Sequence, residues 1–152
     1  EAAKEAGVDG ILIVDMPPEE AAGDFSNALR ANGIDNIYLI APTTTEARIR
    51  LIAAQASGYL YYVSLKGVTG AGHLDVQSVQ EKVTLIRSIT DIPLCVGFGI
   101  KDAESAQKVA QIADGAVVGS ALVDRMSSAK TDEEAIQNST AFLQSLRQAI
   151  DH

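Results

Sequence analysis

The chain has no tryptophan, a single cysteine and only two histidines, and each shortage removes a kind of protein from consideration. One cysteine, Cys95, cannot form a disulfide framework within the chain. It lies inside an apolar run, where a small core residue is the ordinary interpretation rather than a nucleophile. Two histidines as distant as His73 and His152, with one cysteine, do not make a metal site. We therefore expect this chain to bind no metal and no cofactor of its own.

Basic residues are also few. The chain has 12 Lys and Arg and 20 Asp and Glu, which gives a formal net charge of −8. Nucleic acids and anionic membranes attract clustered Lys and Arg, so this balance argues against both as partners. No apolar run in the sequence is long enough to span a bilayer. These features together predict a cytoplasmic protein.

Apolar residues, in contrast, make up 47% of the chain, and because only 5% are aromatic, Ala, Ile, Leu and Val must build the core. That composition is typical of helices packed on buried parallel strands. Short apolar runs alternate five times with helical patterns, an order that favours parallel strands joined by crossover helices. The runs span residues 10–15, 37–41, 59–64, 93–98 and 116–119. The sequence predicts a single partial α/β domain over residues 1–152.

The predicted helices are bounded by prolines, glycines and capping residues. Pro17 and Pro18, followed by two acids, predict a helix that continues to Gly33. Thr43 with Glu46 predicts a capping box and a helix to about Ser57. Further helices are expected from about residue 76, over 102–113, and after a cap formed by Thr131 with Glu134. The side chains expected to face the core are Ala47, Leu51, Ala54, Val76, Val79, Val83, Ile86, Ala103, Ala106, Val109, Ala110, Ala135, Phe142, Leu143, Leu146 and Ile150.

Two architectures fit this alternation: a doubly wound open sheet, and the last five units of an eight-unit (β/α) TIM barrel. The barrel is favoured, because the first strand lacks a Gly-x-Gly-x-x-Gly fingerprint. A barrel portion exposes strand edges that closure normally removes. The sequence also begins at Glu1 in mid-helix pattern, without Met. We therefore expect a portion of a longer protein, incomplete at its N-terminus.

The last two predicted strands each end in glycine just before a helical pattern. The first ends in Gly97-Phe98-Gly99 and the second in Gly119-Ser120. Glycine lets backbone N–H groups approach an anion, and a helix that begins there adds unpaired N–H groups and the positive end of its dipole. Because (β/α) barrels bind phosphate after their last two strands, this pair predicts a phosphate site. The plain alternative for each glycine is a tight turn.

The motifs along the chain resemble those of the tryptophan synthase alpha chain family. The resemblance covers essentially all 152 residues, from the fourth barrel strand to the C-terminus, and implies the TIM barrel. It also implies a carbon–carbon lyase of tryptophan biosynthesis, which cleaves indole-3-glycerol phosphate to indole and glyceraldehyde 3-phosphate. The segments that carry it are Val8-Asp9-Gly10, Val14-Asp15-Met16-Pro17, the strand 59–64, Gly67-Val68-Thr69-Gly70-Ala71, Gly97-Phe98-Gly99-Ile100 and Gly119-Ser120-Ala121.

The same resemblance implies a partner and a division of labour. The partner is a tryptophan synthase beta chain in an alpha2beta2 heterotetramer, which holds pyridoxal phosphate and joins the indole to serine. The family's acid/base glutamate and aspartate lie on the second strand and the loop after it, upstream of Glu1. We therefore expect no catalytic residue in this chain, which alone should be inactive. Asp15, at a strand end, is more simply a hydrogen-bond acceptor in its turn.

By this resemblance the substrate-binding residues fall into two groups. Tyr61 is expected near the indole and Thr69 in a loop that closes over substrate, the plain alternative for Thr69 being a long surface loop. Phe98 is expected as one wall of the indole slot, and Leu12 and Val14, which are apolar and near a strand end, as other walls. Interior packing is the plain alternative for Tyr61 and for all three wall residues. Phosphate is expected at Gly70, Gly97, Gly99, Gly119 and Ser120. Two rival hypotheses remain: another phosphate-binding barrel of amino-acid biosynthesis, and a non-catalytic binding or interaction module.

Overall fold

The computed structural model describes residues 1–14, 16–21, 23–64, 76–97 and 99–151. Helices and strands alternate along these ranges as the apolar runs predict. The elements are α1 (Ala2–Glu5), β1 (Gly10–Leu12), α2 (Pro18–Ala21), α3 (Asp24–Ala31), β2 (Asp35–Ile40), α4 (Glu46–Ala53), β3 (Leu60–Val63), α5 (Val76–Arg87), β4 (Leu94–Gly97), α6 (Ala103–Ala110), β5 (Gly115–Val117), α7 (Ser120–Ser127) and α8 (Asp132–Ile150). None of the helices in these ranges is both long and apolar enough to cross a membrane.

The five strands form one parallel sheet in the order β1-β2-β3-β4-β5. A doubly wound sheet reverses its strand order at a switch point and carries helices on both faces. This sheet has no reversal, and its main buried cluster lies on one face. The strand order is therefore that of consecutive units of a (β/α) barrel, which confirms the favoured architecture.

The register separates two faces of the sheet. Ile40, Tyr62 and Val96 lie side by side in one row and are each at most 1% exposed. They pack in one cluster with helix residues such as Ile49 and Val83. We call the opposite side the inner face, because in a barrel it points toward the axis. The inner face of the described strands consists of Gly10, Leu12, Asp35, Ile37, Leu39, Tyr61, Val63, Cys95, Gly97, Gly115 and Val117.

Two helix predictions in the first third of the chain are wrong. The single helix expected up to Gly33 is divided into α2 and α3, because Gly23 has a φ of +105°, which no right-handed helix accommodates. The cap of α4 is Thr45 rather than Thr43: the Thr45 hydroxyl accepts the N–H of Arg48 at 3.4 Å. The capping signal is correct in kind and displaced by two residues.

The side of α4 that faces the core is also not the predicted one. Ala47, Leu51 and Ala54 are exposed, and Leu51 keeps 48% of its surface accessible. Ile49 and Ile52 are buried instead, at 0% and 2% exposure. Two apolar stripes compete on this helix, and the isoleucine stripe removes more apolar surface from water.

The later helices follow the prediction more closely. Val79, Val83 and Ile86 of α5 are buried, as are Ala106 and Val109 of α6. In the last helix, Thr131 caps α8 by accepting the N–H of Glu134 at 3.2 Å, and Phe142 and Leu146 are buried. The prediction that Leu143 faces the core is wrong, because this side chain remains 46% exposed on the flank of the buried stripe.

Candidate functional site

The two predicted glycine turns lie at the same edge of the sheet. All strands are parallel, so their carboxyl ends meet at one edge. β4 ends at Gly97 and its neighbour β5 ends at Val117. Gly99 and Gly119, which follow these ends by two residues, therefore belong to adjacent turns on that edge. This edge is where barrel proteins place their functional loops.

Both glycines face open space. Gly99 is exposed at a φ of +71°, and a Cβ added there would meet no atom within 4 Å. Gly119 is exposed too, with the same open space, and it is the N-cap of α7. Ser120 begins that helix and is also exposed. The unpaired N–H groups of the first turn of α7 and its positive dipole end therefore point out of the sheet edge, into a region where an anion is favoured.

Tyr61 lies on the inner face, against Gly97. A Cβ added at Gly97 would come 2.5 Å from the Tyr61 Oη and 2.6 Å from its Cε2. The phenol therefore extends along the sheet to the carboxyl edge, over a residue that must lack a side chain. Burial, and secondly the nearby Tyr59, raise the pKa of the Tyr61 phenol. The hydroxyl consequently stays protonated and can donate a hydrogen bond at neutral pH.

Leu12 and Cys95 also lie on the inner face. Leu12 ends β1 beside Ile37 and is half-buried. Burial, followed by the charge of Asp114, raises the pKa of the Cys95 thiol. Its sulfur packs against Gly115 on the neighbouring strand. A Cβ added at Gly115 would lie 2.8 Å from the Cys95 Sγ. A protonated, packed thiol is a structural group rather than a nucleophile.

Three predicted site residues, Thr69, Gly70 and Phe98, lie outside the described ranges. So do Asp15, expected to be a hydrogen-bond acceptor in its turn, and the two histidines, His73 and His152, from which no metal site was expected. Among the residues the structure does describe, no group of three or more His, Cys, Asp and Glu side chains converges as a metal site would require.

The structure also brings to this edge a residue that the sequence interpretation did not select. Ser64 follows β3 and is only 8% exposed. Its hydroxyl donates to the carbonyl of Gly97 at 3.1 Å, and its N–H donates to the same oxygen at 3.0 Å. The bond joins residues 33 positions apart. No local pattern in the sequence signals such a contact.

A pocket at the same edge was not predicted either. A pocket of about 210 Å³ lies beyond β1 and β2, with Pro17, Leu39 and Thr44 among its lining residues. Arg48 also lines it, and its guanidinium is paired with Glu19 at 3.0 Å. Its position at the carboxyl ends of the strands fits the general placement of barrel sites.

Sequential parallel strands, helices on one face and open glycine turns at the carboxyl edge define a (β/α)-barrel protein. A family model described as "Tryptophan synthase alpha chain" matches residues 1–151. The chain belongs to the tryptophan synthase alpha chain family. This match decides against the rival hypothesis of a different phosphate-binding barrel.

Individual relatives agree. The chain is 54% identical over 151 residues to the tryptophan synthase alpha chain of Thioalkalivibrio sulfidiphilus, covering 99% of this chain and 56% of that relative. It is 51% identical over 150 residues to that of Methylococcus capsulatus, covering 98% of this chain and 56% of that relative. The solved structure of tryptophan synthase subunit alpha from Legionella pneumophila is similar with a TM-score of 0.82 at 42% identity, over 98% of this chain and 54% of that one. The chain thus spans about half the length of the relatives it matches.

Proposed function

We propose that this chain carries the substrate-binding part of a tryptophan synthase alpha subunit. The reaction is the aldol-type cleavage of indole-3-glycerol phosphate to indole and glyceraldehyde 3-phosphate, a carbon–carbon lyase step in tryptophan biosynthesis. The observation that carries the proposal is the pair of open glycine turns on adjacent strand ends, one of them capping a helix, in a chain of this family. Such a turn pair offers N–H groups to the phosphate of the substrate.

In this proposal the phosphate lies between the turns of Gly99 and Gly119. The N–H groups at the start of α7 and the Ser120 hydroxyl donate to phosphate oxygens, and the helix dipole favours the negative charge. Gly97 leads the chain into this site, and Gly70 is proposed as a further N–H donor by the family resemblance. Hydrogen bonds to a charged acceptor are about twice as strong as neutral ones, so a few backbone donors suffice.

The indole is proposed to lie on the inner face. Tyr61 extends to the carboxyl edge there, and Leu12 contributes apolar surface at the end of β1. Thr69 and Phe98 are proposed to complete the slot. The cleavage needs a proton delivered to the indole ring and a base for the glycerol moiety, which positioned carboxylates supply. The glutamate and aspartate proposed for this work lie outside residues 1–152.

The proposal extends to assembly and location. The partner is a tryptophan synthase beta chain in an alpha2beta2 heterotetramer, and the protein acts in the cytoplasm. Pyridoxal phosphate belongs to that partner, so the residues of this chain serve binding and orientation only.

The phosphate site is tested with glycerol 3-phosphate as the probe, by calorimetry on the protein as its gene encodes it. Gly119→Val adds a side chain in space free of protein atoms, so the variant should fold and lose more than about tenfold in affinity. Gly99→Ala should weaken binding in the same way. Its matched control is Gly33→Ala, which also has a positive φ (+61°) and open space but precedes β2 at the opposite edge. Unchanged affinity in Gly119→Val would contradict the assignment.

The reaction is tested by following indole release. The full gene product should release indole from indole-3-glycerol phosphate, while residues 1–152 alone should not. If the full product binds the phosphate ester and releases no indole, but changes the serine chemistry of an added beta chain, the non-catalytic interaction hypothesis replaces the lyase.

A further inference from the structure

Ser64 occupies an unusual position between two neighbouring strand ends. It is one of three buried polar side chains among the described residues, and it directly follows β3. Its N–H and its hydroxyl both donate to the carbonyl oxygen of Gly97, at 3.0 Å and 3.1 Å. The N–H bond is the ordinary continuation of the parallel ladder. The hydroxyl bond is additional and occupies the second lone pair of that oxygen.

The carbonyl that Ser64 holds begins the turn toward Gly99. Gly97 is the last residue of β4, and Gly99 has a φ of +71° with open space around it. Two glycines so close together leave the backbone with more freedom than any other residue pair. A turn that must present its N–H groups in one direction therefore needs restraint from outside. Tyr61 packs over one side of Gly97, and Ser64 fixes its carbonyl.

The bond is not needed to satisfy the Gly97 carbonyl. That oxygen keeps the Ser64 N–H as a donor if the hydroxyl is removed, so no buried group is left unpaired. Loss of the hydroxyl should therefore change the fold little. Its effect should fall on the orientation of the peptide that leads from the strand to the turn.

We propose that Ser64 is a positioning residue for phosphate binding: by holding the Gly97 carbonyl it orients the turn of Gly99 without touching the ligand. This inference rests on the proposed phosphate site. Because phosphate contacts are made equally before and during the reaction, loss of the hydroxyl should raise KM and leave kcat nearly unchanged.

The test compares side chains of matched volume at position 64 in the full gene product. Ser64→Thr keeps the hydroxyl and adds a methyl group. Ser64→Val has nearly the same shape as Ser64→Thr, with a methyl group in place of the hydroxyl. Ser64→Ala removes it without adding volume. We expect Ser64→Ala and Ser64→Val to weaken glycerol 3-phosphate binding by about three- to tenfold relative to wild type and Ser64→Thr respectively.

The control is Ser57→Ala. The Ser57 hydroxyl accepts the N–H of Asn36 at 3.0 Å, so it is also a serine bonded to the backbone of another strand, but at the amino edge. It should lose stability and keep phosphate affinity. If Ser64→Ala binds the probe as well as wild type does, and Ser64→Val as well as Ser64→Thr does, the positioning role is wrong and the proposed site stands. If wild type itself does not bind the probe, both proposals fail. If affinity falls equally in Ser57→Ala, the effect is general destabilisation and the inference is overturned.

Discussion

The contact between Tyr61 and Gly97 predicts that the smallest possible side chain at position 97 destabilises the protein. An added Cβ would lie 2.5 Å from the Tyr61 Oη, 2.6 Å from Cε2 and 2.9 Å from Cζ. These separations are far inside van der Waals contact, so the ring or the strand must move. Gly97 is not among the described glycines with a positive φ, so Gly97→Ala adds no backbone strain.

The size of the effect follows from two opposing contributions. Overpacking of one methyl group in a buried position costs about 1–3 kcal/mol. Replacing a strand glycine with alanine returns about 0.5–1 kcal/mol by restricting the unfolded chain. The two ranges leave a net loss of about 0–2.5 kcal/mol of unfolding free energy, centred on about 1 kcal/mol. A loss of about 1 kcal/mol corresponds to a Tm lower by about 2–4 °C for a protein of this size class.

The assay is urea unfolding of single and double variants of the full gene product. Tyr61→Leu should remove much of the penalty of Gly97→Ala, because it takes away the ring atoms that clash. Tyr61→Phe should relieve little, since it removes Oη and leaves Cε2 at 2.6 Å. A coupling energy near zero between Gly97→Ala and Tyr61→Leu would refute the packing on which this reasoning depends.

Two further predictions concern other parts of the fold. Gly58→Ala should lower the free energy of unfolding by about 2–3 kcal/mol, because it combines a φ of +72° with a Cβ 2.9 Å from the Asp35 side chain. The control Gly33→Ala has only the backbone penalty of about 1 kcal/mol. Equal losses of the two variants in thermal unfolding would contradict the clash. The Ser105 hydroxyl and then its N–H hold the pKa of the Asp102 carboxyl below its usual value. Since the folded-state pKa is the lower one, this cap stabilises the protein above the unfolded-state pKa and is lost as pH falls through the folded-state pKa. Ser105→Ala should move the NMR titration midpoint of Asp102 to higher pH, and an unmoved midpoint would disprove the bond.

The strand order and the shared edge of the two glycine turns were predictable because their signals are local. An apolar run that ends in glycine and precedes a helical pattern marks a strand end, and parallel connectivity places Gly99 and Gly119 together. The buried side of α4 was not predictable in the same way. Two apolar stripes fit the helical period there, and only packing on the sheet selects Ile49 and Ile52.

Long-range contacts are the part of the site that the sequence conceals. Ser64 was recognised as the end of a strand, but its bond to Gly97 depends on the register of β3 against β4. The break at Gly23 was missed for a related reason. A glycine within an otherwise helical pattern is tolerated in some helices, and only its φ of +105° shows that this one separates α2 from α3, for which it is the N-cap.

The open space at Gly119 has a genetic consequence that separates it from Gly97. Every missense change of a glycine codon adds a side chain, because glycine is the only residue without a Cβ. At Gly119 those atoms would enter open space, so under the proposed phosphate site an affected allele would yield normal amounts of protein with weakened phosphate binding. At Gly97 they would strike the tyrosine ring, so abundance and activity would fall together.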